Sequence, residues 1–327
     1  MPKDLIHFSI AERTAALLDG TRLAPCLAAE RHGLLLGAVL HDALFYATPP
    51  GGAPLERLAH RLHGANGEDT FALIRLLTDH AADAWARQGA TLPVALLVGA
   101  VSHLYADVAM HPMVWHLSGD YYSADPTARS DARQRHRALE SLMDMVACPA
   151  MLGRARSSLR LMLRRCPNLL DQGLPVARLG TMADMTPEAA TRALARAWRT
   201  FALFQAAYST RALAKAAFAL RPWLPRPAAE LAALAYAPQL LAQAAFLSGP
   251  IPYCHPVTGK PRTATLDALM DEAATRAAAL CQRLEPAIFD QQQAVPDETG
   301  PSMDTGQLGV STRDMRHFAD PPFPNLA

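Results

Sequence analysis

Cysteine, lysine and aromatic residues are scarce in this sequence of 327 residues. The five cysteines are scattered and form no CxxC pair, which argues against a disulfide framework and predicts a reducing compartment. Lysine occurs only three times, and basic and acidic residues nearly balance, at 31 against 30. A net charge of +1 provides no strong field for nucleic acid, so we expect no nucleic-acid partner.

The sequence also lacks a convincing membrane span. The best candidate, residues 228–247, contains Glu230 and Pro238, and proline interrupts a helix. The N-terminus has no basic stretch followed by an apolar run, which is the pattern of a secretory signal. We therefore expect a cytoplasmic protein, and we leave peripheral contact with a membrane open.

Helix-forming residues dominate the composition of the sequence. Alanine and leucine are the commonest residues, and half of the chain is hydrophobic, so an all-α fold with a sizeable core is predicted. Apolar residues recur at helical spacing over residues 10–18, 34–47, 54–62, 70–88, 92–110, 131–146, 159–165, 187–218, 228–246 and 265–284. Thr263 or Thr265 is the expected N-cap of the last helix. Residues 118–130 and 249–256 are predicted loops.

The pattern predicts three parts along the chain. Residues 1–148 form a helical core, residues 149–288 a helical extension packed on it, and residues 289–327 an extended or partly disordered tail. A short echo relates Gly37-Ala38-Val39-Leu40-His41 to Gly99-Ala100-Val101-Ser102-His103. We expect these two apolar helices to cross near one site.

Histidine is concentrated in the first part, where ten of the twelve lie within residues 1–136. His103 and Asp107 are four residues apart in an apolar helix, as are His136 and Glu140 in a later helix. Residues at this spacing lie on the same helix face, so each pair can reach one cation. Imidazole and carboxylate are ligands suited to Zn²⁺. His111 lies at the expected end of the first of these helices.

Two further residues have the character of ligands. Asp42 lies inside the apolar run 37–46, where an unpaired buried carboxylate would be costly, and a nearby cation would compensate for it. The alternative is that Asp42 lies at the end of a helix or pairs with an arginine. His63 precedes Gly64, where the chain can turn, and is a better ligand than His60.

These residues fall into five blocks that resemble the zinc-dependent phospholipase C family and, more distantly, the single-strand-specific zinc nucleases. The blocks are residues 6–11, 37–46, 62–64, 99–112 and 135–140. The resemblance implies an all-α multi-helix bundle of that type, here with additional C-terminal helices, and two or three Zn²⁺ ions in a cleft. It also implies hydrolysis of a phosphoester by metal-activated water, with a phospholipid as the leading substrate and Asp42 as the catalytic residue.

The resemblance divides eight residues among the metals. One ion would be held by Asp42, His63, His103 and Asp107, a second by His111, His136 and Glu140, and a third by His7 together with Asp107. The secreted enzymes of this family complete the third site with an N-terminal tryptophan. This sequence has no tryptophan near its start.

Two other functions compete with this one. Leu40-His41-Asp42-Ala43 is similar to the central dyad of HD-type phosphohydrolases, with His32 and Asp107 as partners, which would imply a nucleotide substrate. That reading leaves His136 and Glu140 without a role. The other alternative is a zinc-stabilised helical scaffold that binds a partner without catalysis. The oligomeric state is left open.

Overall fold

The computed structural model describes residues 3–48, 51–292 and 297–326, and these residues confirm the all-α fold. Its α-helices, numbered α1 to α14 in chain order, are Asp4–Leu17, Ala24–Ala29, Arg31–Gly37, Leu40–Ala43, Ala53–Leu62, Phe71–Gln88, Leu92–Ser118, Pro126–Ala147, Leu159–Arg165, Val176–Met182, Pro187–Ser209, Arg211–Leu220, Arg226–Ala232 and Leu266–Asp290. Short 3-10 turns include Leu44–Tyr46, Arg221–Trp223 and Pro238–Leu247.

Helix α7 is the centre of the fold, and α1, α3, α6 and α14 pack around it. It is long and apolar enough to cross a membrane, but 89% of its most apolar window is buried inside the protein, as in the core helix of a globular fold. The predicted end before Pro112 is wrong, because α7 continues to Ser118. Proline removes one backbone hydrogen bond, and burial of Met113, Val114 and Leu117 on the following turns offsets that loss.

Helices α3 and α7 lie against each other at two glycines, so the predicted crossing is confirmed. A Cβ atom on Gly37 would lie 2.2 Å from the carbonyl oxygen of Leu96, and one on Gly99 would lie 2.1 Å from that of Leu34. Only hydrogen fits at these two positions, because the obstructing atoms belong to backbone. The crossing brings the chain after α3, with His41 and Asp42, next to the middle of α7.

Several predicted helices have different limits in the structure. The first begins at Asp4 rather than at residue 10, so it carries His7. Residues 34–47 break into α3, α4 and a 3-10 turn, and residues 187–218 break at Thr210. The single helix predicted over 228–246 is wrong, because it ends at Ala232 and the chain resumes as a 3-10 helix at Pro238.

A β-hairpin replaces the loop predicted over residues 249–256. Strand β1, Ile251–Cys254, pairs antiparallel with β2, Pro261–Ala264, so that Ile251 faces Ala264. Ile251 and Tyr253 are buried and the residue between them is exposed, which is the two-residue period of a strand. The run is too short, and too rich in proline, to indicate a strand by itself. Thr265 then caps α14, accepting a hydrogen bond from the backbone N–H of Ala268, as predicted.

The described part of the tail, residues 297–326, is largely irregular and packs against the core. Ser302, Met303 and Thr305 are buried in it. Its backbone bonds to two parts of the core: Met303 donates to the carbonyl oxygen of His63 at 2.9 Å, and Thr312 donates to that of Ala65 at 3.0 Å. The boundaries of the three predicted parts stay a prediction, but the tail lies directly beside the predicted ligands.

Candidate metal centre

Three of the predicted ligands lie along one face of α7. His103, Asp107 and His111 follow at intervals of four residues, and all three side chains are fully buried. Asp107 lies between the two histidines. Its Oδ2 is 3.3 Å from Nε2 of His103, and its Oδ1 is 3.8 Å from Nε2 of His111. A carboxylate in this position can bridge two ions.

Asp42 and His63 lie beside His103, at the N-terminal end of these three residues. The Oδ1 atom of Asp42 is 3.4 Å from Nε2 of His63 and 3.6 Å from Nε2 of His103. Nε2 of His63 is 3.9 Å from Oδ2 of Asp107. Ligand atoms of Asp42, His63 and His103 all lie within 4.8 Å of one another, which suits coordination of one ion.

His136 and Glu140 of α8 lie beside His111, at the C-terminal end of the same three residues. Nε2 of His136 is 3.1 Å from Oε1 of Glu140, which in turn is 4.0 Å from Nε2 of His111. The three residues supply ligand atoms within 4.8 Å of one another. Glu140 and His136 are buried like the rest, so this second group of ligands is also screened from solvent.

His7 of α1 joins the centre from a third direction. Its ring stacks on that of His103 at 4.1 Å, and its Nε2 is 3.5 Å from Oδ1 of Asp107. The first turn of α1 is fixed by Asp144, whose carboxylate accepts hydrogen bonds from the backbone N–H groups of Leu5 and Ile6 at 3.0 and 2.9 Å. Asp144 thus positions the helix that carries His7.

The orientation of three histidine rings identifies the nitrogen that is free to bind a metal. The Nδ1 atoms of His63, His103 and His111 are hydrogen-bonded to the backbone carbonyl oxygens of Ala59, Ala38 and Met303, at 2.7, 2.8 and 2.9 Å. Nδ1 must therefore carry the proton, and Nε2 presents its lone pair to the centre. Metal-bound histidines in proteins show the same arrangement.

These lone pairs have no hydrogen-bond partner within the described residues, although they are buried. Burying a polar atom without a partner costs roughly 1–3 kcal/mol, and such atoms are normally rare. The atoms concerned are Nε2 of His63, His103 and His111, both nitrogens of His7 and His41, Oδ1 of Asp42 and both carboxylate oxygens of Asp107. Divalent cations would satisfy them together, and nitrogen and oxygen donors in this proportion fit Zn²⁺.

Most of the pKa shifts agree with this donor set, although Asp107 and Asp42 outweigh burial and raise the pKa of His103. Burial lowers the pKa of His7 to about 3, with the neighbouring His103 adding to the effect, so His7 is neutral near pH 7. Burial lowers the pKa of His136 well below its usual range as well. Burial would raise the pKa of Asp107, but His111 and His103 outweigh it and hold that pKa well below the usual range. Neutral imidazole and ionised carboxylate are the forms that bind a metal.

Sequence reasoning missed two residues of this centre. His41 is fully buried, stacks on His103 at 4.5 Å and meets His63 edge-on, yet it was considered only as part of an HD-type dyad. Asp304 lies in the tail, 3.3 Å from Nδ1 of His111, and accepts a hydrogen bond from the indole of Trp115. The position of His41 beside Asp42 was an available signal, whereas nothing in the tail sequence pointed to Asp304.

Three histidines outside the predicted ligand set bond to backbone carbonyl oxygens instead. His80 bonds the carbonyl oxygen of Gln172, His116 that of His317 and His255 that of Thr305. Burial lowers the pKa of His32, the partner that an HD-type site would need, and the neighbouring charges of Arg31 and Arg165 lower it further. The structure brings together all eight predicted ligands, and their role as ligands stays a prediction.

Comparison with known proteins adds an independent finding. Residues 6–174, just over half of the chain, match the sequence model of the family described as zinc-dependent phospholipase C. No curated protein and no solved structure matches the chain. The matched range begins just before His7 and extends beyond Glu140, so it contains both ends of the metal centre. The chain belongs to the zinc-dependent phospholipase C family.

Proposed function

We propose that this protein is a zinc-dependent hydrolase of phosphoester bonds, with a phospholipase C-like phosphodiesterase activity. The observation that supports it is the convergence of buried imidazole and carboxylate atoms, unpartnered and aimed at one region. Bound zinc ions would supply a water whose pKa is lowered to about 7 and would neutralise charge on phosphate oxygens. The chain's own residues then orient the reactants and move a proton.

We assign the ligands as the family resemblance implies. His63, His103, Asp42 and Asp107 would hold one ion, and His111, His136 and Glu140 would hold a second, while His7 with Asp107 would form a third position. Asp42 retains 7% side-chain exposure and would orient the attacking water and accept its proton. The side chain of Asp107 has no exposed fraction, because its two oxygens are enclosed between histidines.

An aromatic wall beside the second group supports a phosphodiester with an apolar part. The ring of His136 packs against Trp115 at 4.7 Å and Tyr121 at 5.5 Å, and Tyr122 stacks on Trp115 at 6.0 Å. The guanidinium of Arg133 lies 4.9 Å above the ring of Tyr121, so positive charge accompanies the wall. Apolar faces next to cations suit a phospholipid, our leading substrate.

The cellular setting forms part of the proposal. The five cysteines are unpaired, and four of them are buried, which supports a reducing compartment such as the cytoplasm. The expected partner is a phosphoester substrate, with a phospholipid reached through peripheral contact with a membrane.

The test measures zinc content and hydrolysis on one set of proteins. The wild type should hold two or three zinc ions by elemental analysis and should hydrolyse bis(4-nitrophenyl) phosphate or phosphatidylcholine. Glu140→Gln and His136→Asn should each lose bound zinc and reduce kcat/KM by at least a hundredfold, because each removes a ligand. The matched control is His80→Asn, a histidine whose nearest partner is the carbonyl oxygen of Gln172.

The opposite pattern would reject the proposal. Zinc-loaded wild type that leaves every phosphoester intact would exclude the hydrolase. Loss of activity in His41→Ala with full activity in His136→Asn would instead favour an HD-type phosphohydrolase. A closed metal site that holds zinc firmly, in a protein without activity, would favour the non-catalytic scaffold.

A further inference from the structure

Exposed large apolar side chains are concentrated in one segment of the chain, outside the residues that match the family. Of the ten such residues in the described part of the structure, only Leu17 and Leu308 lie elsewhere. The other eight are Leu203, Leu213, Leu220, Trp223, Leu224, Leu231, Leu241 and Phe246. Large exposed apolar patches on soluble proteins usually mark a site of interaction, so the exposed residues of this segment call for an explanation.

Helix α12 and the turn that follows it form the most exposed part of this segment. Ala214 is the only residue of α12 that is fully buried. Leu213 and Leu220 are 55% and 56% exposed, and they share a face because seven residues make two helical turns. Trp223 follows on the 3-10 turn and is 78% exposed. We call Leu213, Leu220, Trp223 and Leu224 the α12 apolar tip.

The tip is held in position by the rest of the fold. Arg221 is buried between the exposed residues and bonds the carbonyl oxygen of Leu326 in the tail. Its guanidinium also lies 4.9 Å from the ring of Phe218. Pro222 and Pro225 restrict the backbone on either side of Trp223. The apolar side chains are therefore presented by an anchored turn.

Charge within this segment of the sequence is mostly positive. Residues 187–247 contain seven arginines and lysines against two glutamates, in a chain that otherwise has an excess of acids. Arg211 and Lys215 are exposed on one face of α12. The acid nearest to the tip in sequence, Glu230, is turned inward, where its carboxylate lies 3.9 Å from Arg133 and 3.8 Å from Arg137.

We propose that the α12 apolar tip and its flanking cations dock on a lipid surface that carries anionic headgroups. Exposed leucines on a helix that also carries lysine and arginine, with a tryptophan at its end, are typical of a helix that lies in a membrane interface. Charge complementarity selects anionic headgroups. A second copy of the chain fits less well, because basic residues outnumber acidic ones by seven to two in this segment, so two identical segments would repel each other.

The docking surface is separate from the metal centre, although α11, which precedes α12, packs on the turn after Asp42. In that contact Phe201 of α11 stacks on Tyr46 at 4.2 Å. The proposal does not rest on catalysis, and lipid binding by the metal-free protein should equal that of the zinc-loaded protein. Failure of the hydrolase proposal and failure of this one are therefore distinguishable.

The test is co-sedimentation of the full chain with vesicles of phosphatidylcholine alone or mixed equally with phosphatidylserine. We expect binding to the mixed vesicles, weakened at high salt because the headgroup attraction is screened. Trp223→Ala should lower the partition coefficient about tenfold, since it removes the largest inserted side chain. Arg211→Gln combined with Lys215→Gln should remove the preference for mixed vesicles. The control is Leu17→Ala, which removes an apolar side chain that is 51% exposed outside this segment and should bind as the wild type does.

Circular dichroism should find every variant folded, because the replaced side chains are largely exposed. Absence of wild-type binding to the mixed vesicles, or equal binding by wild type and Trp223→Ala, would overturn the proposal. A wild type that is dimeric by light scattering, ignores vesicles and becomes monomeric in Trp223→Ala would overturn it in favour of a second copy.

Discussion

The close approach of α3 and α7 at Gly99 allows a direct test of whether this packing positions the side chain of His103. In Gly99→Ala, the new Cβ would lie 2.1 Å from the carbonyl oxygen of Leu34 and 2.6 Å from the backbone nitrogen of Ala38. Backbone atoms cannot rotate away as a side chain can, so the two helices must separate. Alanine gains up to about 1 kcal/mol in helix propensity, whereas overpacking costs roughly 1–3 kcal/mol or more. We expect a net loss of about 1–2 kcal/mol.

The same change should weaken zinc binding. The carbonyl oxygen of Ala38 holds Nδ1 of His103 at 2.8 Å, so separating the helices releases that ring. Urea denaturation and zinc analysis of Gly99→Ala would measure both effects. Gly249→Ala is the control, because a Cβ there meets nothing within 4 Å. If Gly99→Ala matches the control in stability and zinc content, the crossing does not position His103 as we argue.

The remaining predictions concern three other contacts. Asp304→Ala should lower zinc affinity ten- to a hundredfold in a competition titration, because it removes the carboxylate beside Nδ1 of His111, and unchanged affinity would contradict this. His7 has a folded pKa of about 3 against 6.5 unfolded, so stability of the metal-free protein is complete above pH 6.5 and is lost as pH falls toward 3. Between pH 7 and pH 5, the free energy of unfolding measured with urea should therefore fall by about 2 kcal/mol less in His7→Gln than in wild type. Equal falls in the two proteins would refute this prediction. Thr265→Ala should cost about 1 kcal/mol on thermal unfolding, and clearly more than Thr210→Ala, because only the first hydroxyl caps a helix; equal losses would argue against the cap.

The proximity of predicted ligands that share a helix could be predicted from sequence, because helical geometry is local. A spacing of four residues is enough to align His103 with Asp107, and His136 with Glu140. Asp42 was predictable for a different reason, since a carboxylate within an apolar run needs a partner. The all-α fold followed from composition and periodicity in the same way.

The parts that sequence did not reveal depend on contacts between distant segments. Asp304 reaches His111 because the tail folds back, and no periodicity relates two such positions. Continuation of α7 through Pro112 depends on the packing of the following turns, which outweighs a local signal. The strand at Ile251 forms only because β2 is available to pair with it.

The two backbone hydrogen bonds of Met303 affect when, during synthesis, the predicted metal centre can form. Its N–H donates to the carbonyl oxygen of His63 and its own carbonyl oxygen fixes the ring of His111, so one residue connects both groups of ligands. Ribosomes make the chain from its N-terminus, and Met303 emerges after all eight ligands. A nascent or interrupted chain thus carries every ligand while the ring of His111 is still free to turn. On the proposed assignment, tight zinc binding would require Met303 to be in place, and a chain interrupted before it would bind zinc less tightly.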